Sequence, residues 1–522
     1  MIHISDERRY SEGKIRNFNN SIIDTMLLTD DFLLNYKRCR RRTYLDTYGD
    51  LTQQDSERDF VAKLRDENQL HVNMVLEGLS YSRIQSPEED FKARAEETLL
   101  KMQESADYIY KGVLYPSSFD NLNLLLGEFI SPTPSLNWEG MTLVASPTLL
   151  VKQPGESKFG DWQYVPVSIK LGRRPKPEYQ IVAAFQALLL AGIQGKWSNQ
   201  AQLILRSQNY YSVNLKRWIP RMGEVLAECL QMLQLQNEPE VFISRQRCGL
   251  CQWHSHCRAI AQSTQHLSLI PGVTPTRYES LQEMGITSLE SLANAHFDLL
   301  SQAVTPEVAP SLQQQAQAIF HNRPLLSSHR QINLTIPTAP IELYFDIEAE
   351  PERNLDYLLG VLLVNREQST EQFYSFMAEK PEEERDIWKQ FLDFLNQYPT
   401  APIFHYSEYE VETIKRLGKL YSTPRKQIEE IVSRLVDVHR CVMASVTLPV
   451  ENYSLKTLAN WLGFEWRDSE ARGDQSVCWY DTWLKTGDRA FLAALLRYNE
   501  DDCRATYRLK EWLVQFLAEA TS

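Results

Sequence analysis

The residues able to do chemistry fall into sets along the chain, and the C-terminal third carries the densest one. Asp346-Ile347-Glu348 closes an apolar run that begins at Leu343. A strand sends alternate side chains to opposite faces, so both carboxylates share one side. Two like charges at the end of an apolar strand are costly unless a cation shares them. Glu410 follows the apolar stretch 401–405 at what reads as a helix start, and Asp502 stands four residues after Tyr498. That spacing puts Tyr498 and Asp502 on one helix face. Together these acids offer the oxygens that a two-metal site needs.

Cysteine supplies the second set. Cys248-Gly249-Leu250-Cys251 is followed by Cys257, and Cys39 sits far away inside Lys37-Arg38-Cys39-Arg40-Arg41-Arg42. The N-terminus is polar and reads as no secretory signal, so eight cysteines point to a metal or redox site rather than to a disulfide framework. Cys229, Cys441, Cys478 and Cys503 lie in apolar contexts and read as buried thiols. A CxxC brings two thiolates to one centre and Cys257 completes a face, with the fourth ligand coming from elsewhere. Four thiolates suit an iron–sulfur cluster or zinc, and His254 and His256 could substitute as zinc ligands.

A distant N-terminal cysteine paired with a three-cysteine cluster resembles the iron-staple nucleases of the RecB-like, PD-(D/E)xK family. The segment Phe32 to Asp46 around Cys39 carries that likeness. The resemblance implies a restriction-endonuclease-like fold whose two ends are tied by a 4Fe–4S cluster on Cys39, Cys248, Cys251 and Cys257. It also implies an Asp on one strand and an acidic-x-Lys on the next, aided by an upstream His and a later Gln. His71, Lys170 and Gln180 fit that pattern, but Thr148 and Ser168 stand where the two acids belong. Neutral hydroxyls are weak ligands for Mg²⁺. Glu139, Glu156 and Asp161 are misplaced by strand alternation or loop position, so Lys170 reads as vestigial and this module as one that binds DNA without cutting it.

Downstream, Asp-x-Glu on a first strand, an acid after the fourth strand and Tyr-x₃-Asp on a late helix resemble the DEDD 3′–5′ exonucleases of the YprB-like, ribonuclease-H-like branch. Val436-Asp437-Val438-His439 and Tyr453-Ser454-Leu455-Lys456 are shared as well. The resemblance implies that Asp346, Glu348, Glu410 and Asp502 hold two Mg²⁺ or Mn²⁺ ions while Tyr498 orients the attacking water. Between the modules, Ile270-Pro271-Gly272-Val273 and the helix after it resemble a helix-hairpin-helix, with Thr274 where a second glycine is usual.

The elements that must position these residues read as an α/β multidomain chain, since 522 residues exceed one ordinary core. The expected order is a polar lead-in over 1–30, the RecB-like module over 31–262, the helix-hairpin-helix over 263–325, a linker over 326–340 and the ribonuclease-H-like domain over 341–522. Strands are expected over 141–152, 162–171 and 201–206, a helix over 216–236, and three strands then alternating helices and strands after 341. A hydrophobic fraction of 43% and a charged fraction of 24% are those of a soluble protein. The apolar stretch 181–193 is too short to span a bilayer, so the expectation is a cytoplasmic protein with no membrane partner. The net charge of −13 requires any hold on phosphates to be local. Lys37–Arg42 and Lys170–Lys176 are the basic runs able to provide it. The spacing of Gly192, Gly195 and Lys196 makes no phosphate loop, so no ATPase motor is expected. The expected partner is single-stranded or frayed DNA, together with a helicase or another nuclease. Competing readings are a non-catalytic scaffold subunit and a redox-responsive regulator that uses the cluster as sensor.

Overall fold

The structure is a computed structural model describing residues 26–116, 120–130, 136–206, 208–327, 336–468 and 471–520. Most of the expected lead-in and the centre of the expected linker, 328–335, lie outside the described residues. The chain divides into two compact units, Met1–Val241 with Arg245–Cys257 and Phe242–Ser244 with Arg258–Ser522.

In the first unit, helices α1 (Asp30–Arg38) and α2 (Arg40–Tyr48) meet at Cys39, whose extended backbone ends one and caps the other. Helix α3 (Asp59–Leu76) follows. A six-stranded sheet runs in chain order through β1 (Ser82–Arg83), β2 (Tyr108–Tyr110), β3 (Leu149–Ser157), β4 (Gly160–Ile169), β5 (Ala201–Ile204) and β6 (Tyr210–Val213). Strands β3 and β4 form an antiparallel pair, while β4 and β5 are parallel. Parallel neighbours need a crossover, and α4 (Pro177–Gln194) provides it, buried along most of its length as its apolar sequence requires. Helix α5 (Leu215–Leu235) packs on α4. The single strand expected over 141–152 is in fact two, Met141–Val144 and β3. Pro147 lies in the break, where its missing N–H removes a ladder bond.

In the second unit, the helices Pro275–Glu283, Leu289–Ala293, Phe297–Ala303 and Ala309–Phe320 share a small core around Leu281, Leu292, Leu300 and Leu312. After them come β7 (Ile341–Glu350), β8 (Leu355–Asn365), β9 (Thr370–Met377), α6 (Glu384–Leu395), β10 (Ile403–His405), α7 (Tyr409–Leu420) and β11 (Leu435–Asp437). Helices α8 (Gly473–Thr486) and α9 (Arg489–Glu519) end the described chain. The sheet order is β9-β8-β7-β10-β11, with β8 antiparallel to both neighbours and β10 and β11 parallel to β7. Strand β7 sends Leu343, Phe345 and Ile347 to one core and Tyr344 to the other, where it meets Phe404 and the α9 residues Cys503 and Leu509. Asp346 and Glu348 therefore lie on the face that α9 covers.

Candidate active site

Strand β7 and helix α9 build the C-terminal site between them. The carboxylate oxygens of Asp346, Glu348 and Asp502 all lie within 4.8 Å of one another. Each is held by a neutral donor. Asn499 Nδ2 donates to Asp346 Oδ2 at 2.7 Å, Ser476 Oγ to Glu348 Oε2 at 2.6 Å, and Trp466 Nε1 to Asp502 Oδ1 at 2.7 Å. Tyr498, buried on α9, also hydrogen-bonds Asp502.

Burial, then the neighbouring carboxylates, push Asp346 well above its ordinary range. Burial and the Asp502 charge push Glu348 up to about 8. Burial pushes Asp502 up to about 7, against the hydrogen bonds from Trp466 and Tyr498 and the positive charge of Lys456. Acids that resist ionisation because they crowd one another are what a divalent cation relieves, and its charge would restore all three as carboxylates. The donor set therefore fits Mg²⁺ or Mn²⁺, which favour charged oxygen.

Glu410 stands outside that group. It is buried at the start of α7, where burial raises its pKa, and His405 Nδ1 lies 3.3 Å from its Oε2. Its charge still reaches Asp346. The structure thus joins three of the four expected acids directly and keeps the fourth nearby. Asn499, Ser476 and Trp466 were not read from the sequence. Only Asn499 carried a signal, through its place inside Tyr498-x₃-Asp502.

The expected N-terminal site has a different content. Thr148 Oγ1 accepts the Ile169 N–H at 3.1 Å, and Ser168 Oγ donates to Gln186 Oε1 at 2.9 Å in full burial. The glutamine that faces this strand is therefore Gln186. Gln180, one turn and more earlier on α4, is tied to the Pro175 carbonyl and the Tyr211 hydroxyl instead. One acid does reach the place, and sequence reasoning missed it. Asp30 Oδ2 accepts from Gln186 Nε2 at 2.7 Å and from the Ser146 N–H at 3.1 Å. Burial pushes Asp30 up to about 6, and the charge of Lys170 opposes that shift. His71 is buried on α3 beside the Ile204 and Leu205 carbonyls, its pKa lowered by burial and by Arg206, and its Nε2 has no hydrogen-bond partner.

The cysteine segments meet in the same unit. Trp253 Nε1 donates to Asp46 Oδ1 at 2.6 Å, the Ser255 N–H to Asp55 Oδ2 at 3.0 Å, and Arg247 to the Arg38 carbonyl at 2.9 Å. Cys39, Cys248, Cys251 and Cys257 are all free thiols. Burial pushes Cys251 up to about 11, and the sulfurs of Cys39 and Cys248 raise both Cys251 and Cys257 further. Cys251 and Cys257 thus each feel Cys39 and Cys248, but among the described residues the cysteines form no group with ligand atoms as close as those of the carboxylates. A soft cation would lower these thiol pKa values and take the resulting thiolates as ligands.

The basic run beside Cys39 is largely engaged within its own unit. Arg38 pairs with Glu178, Arg40 with Glu228, Arg41 with Glu238 and Arg42 with Asp46. At the expected helix-hairpin-helix, Gly272 takes φ +93° and Thr274 caps the next helix by accepting the Arg277 N–H. That cap occupies an amide that a phosphate would otherwise use.

No helix among the described residues is long and apolar enough to cross a membrane. No curated protein matches the sequence. A family model described as the RNase_H superfamily matches residues 343–514, the span from β7 through most of α9 that carries every member of the carboxylate set. The C-terminal part of the chain is a ribonuclease-H-like domain of the kind that suggests metal-dependent nuclease chemistry.

Proposed function

We propose that the chain is a metal-dependent nuclease that removes nucleotides from DNA in the 3′–5′ direction. Its C-terminal domain supplies the chemistry, and the N-terminal RecB-like module serves as a DNA-binding clamp. The observation that carries this reading is the group Asp346, Glu348 and Asp502, three carboxylates within 4.8 Å inside a ribonuclease-H-like domain. Mg²⁺ or Mn²⁺ held there would supply charge to the attacking and leaving oxygens of an in-line displacement. The chain's own residues do the positioning. Trp466, Ser476 and Asn499 fix the carboxylates, and buried Tyr498 keeps its proton because burial and three neighbouring acids hold its pKa well above the ordinary value. With its one O–H donated to Asp502, the phenol keeps an oxygen lone pair that can accept from, and so orient, a water.

In the N-terminal module, a 4Fe–4S cluster on Cys39, Cys248, Cys251 and Cys257 would staple the ends of the fold. The hydrogen bonds that join the segments carrying these cysteines, Trp253–Asp46, Ser255–Asp55 and Arg247–Arg38, support it. Iron and zinc contents of the purified protein separate this from a zinc site. The involvement of Thr148 and Ser168 in internal hydrogen bonds favours binding over cleavage there. The same observation favours the second reading, a scaffold subunit for a helicase or another nuclease.

Pure protein incubated with 5′- and 3′-labelled single strands, with Mn²⁺ or with chelator, decides between them. Metal-dependent loss of the 3′ label, with the 5′-labelled strand shortening stepwise, is expected. No cleavage under any divalent ion would leave the scaffold reading.

A further inference from the structure

Gly360 is the residue on β8 directly opposite Asp346 on β7. A glycine inside a buried strand costs stability, and in that setting it marks a close approach of another group. The group here is Asn499. A Cβ added to Gly360 would meet Asn499 Oδ1 at 1.6 Å and its Cγ at 2.8 Å. One turn along the same helix, the Cys503 thiol reaches the Gly360 carbonyl at 3.5 Å. Helix α9 therefore rests on the bare backbone at this point, and Asn499 occupies the volume that any other residue at 360 would fill.

From that position Asn499, wholly buried, donates to Asp346 Oδ2 at 2.7 Å. Its own Oδ1 is buried with no hydrogen-bond partner. An orphaned buried amide oxygen is costly, because it has given up water and gained no partner. A residue kept only for packing would not retain that cost when an aliphatic side chain could fill the same space. The retained amide has one polar contact, and it is to a carboxylate of the site.

We propose that Asn499 is a positioning residue that fixes the Asp346 carboxylate for metal binding, and that Gly360 exists to admit it. The inference rests on the reading of Asp346 as a metal-holding residue. Removing a group that orients a ligand characteristically costs 10–100-fold in metal affinity or activity. Helix α9 then delivers three functional groups, Tyr498, Asn499 and Asp502, and the glycine sets how closely they approach β7.

The test is a double-mutant cycle on the full chain, reading Mn²⁺ affinity by calorimetric titration without DNA, together with kcat and KM on 3′-labelled single-stranded DNA. Asn499→Ala should weaken Mn²⁺ affinity by roughly tenfold or more and lower kcat, leaving KM for DNA unchanged. Gly360→Ala should do the same, because its methyl displaces the amide. In the Asn499→Ala background Gly360→Ala should add little, since the amide it struck is gone and only the Phe373 ring edge, at 3.0 Å, must give. Effects that multiply, or an Asn499→Ala enzyme with native Mn²⁺ affinity, would overturn the proposal. Asp346→Ala run in parallel keeps the two readings apart: if it is fully active, the site assignment itself fails. If Gly360→Ala does not fold, the Mn²⁺ affinity of Asn499→Ala decides alone.

Discussion

Glu348 and Asp502 turn their carboxylates toward each other within 4.8 Å, and burial pushes the first up to about 8 and the second up to about 7. Both values lie above those of an unfolded chain, so the folded state binds more protons between about pH 4 and pH 8. The stabilisation from these groups is therefore present at low pH and lost as pH rises through that window. With chelator present, Glu348→Gln should melt several degrees higher than the native sequence at pH 8.5 and about equally at pH 4.5. Adding Mn²⁺ at pH 8.5 should stabilise the native protein more than the variant. Calorimetry across the two pH values checks both, and equal melting of the two proteins at every pH would contradict the crowding.

Tyr498 and Asp502 share a helix face but should fail differently. Asp502→Asn should abolish activity, because it removes a charge that a cation needs. Tyr498→Phe should lower kcat by roughly 10²-fold, the scale of a single group positioned at the reacting water, and leave Mn²⁺ binding intact. Mn²⁺ titration of both variants by calorimetry distinguishes them.

Cys39→Ser should remove iron and visible colour from the purified protein and destabilise the first unit, leaving the Trp253–Asp46, Ser255–Asp55 and Arg247–Arg38 hydrogen bonds to hold the segments. Metal analysis and limited proteolysis near residue 245 report the two effects. A colourless native protein containing zinc would replace the cluster with a zinc site.

The basic residues should divide by their partners. Arg41 is 8% exposed and donates to the Pro239 carbonyl at 2.6 Å, so Arg41→Ala should cost roughly 1.5–3 kcal/mol of stability, the scale of a hydrogen bond to a charged group. Replacing Arg174 and Lys176 should instead weaken DNA binding and flatten its dependence on salt, with stability unchanged. Lys170→Ala should leave cleavage untouched. A Lys170→Ala protein without nuclease activity would show that Asp30 and His71 serve a working second site.

The acids of the C-terminal site were legible because each sits in a short local pattern: a strand end, a helix start, a four-residue helical repeat. Their supports were not. Ser476 reaches Glu348 across 128 residues, and Trp466 reaches Asp502 across 36, distances over which no periodicity operates. Asp30 was missed for the same reason, since its bond to Gln186 spans 156 residues. Choosing Gln180 over Gln186 had another cause. Helix α4 is buried on nearly every side, so its sequence has no polar stripe to say which face meets the sheet. The break at Pro147 was visible in the sequence but was overridden by the apolar run on either side.

The contact between Trp253 and Asp46 joins residues 207 positions apart. At roughly 5–20 residues per second, a ribosome takes about 10–40 s to travel that distance. During this interval α1 and α2 carry Cys39 at their junction, and α1 meets Glu178 and Gln186 of α4 before residue 253 is made. The sheet strands emerge in their spatial order, so the body of the unit can form while its clasp is still being made. Closure of the first unit is thus a timed event, set by the arrival of Trp253, and a chain released before that point would lack this contact.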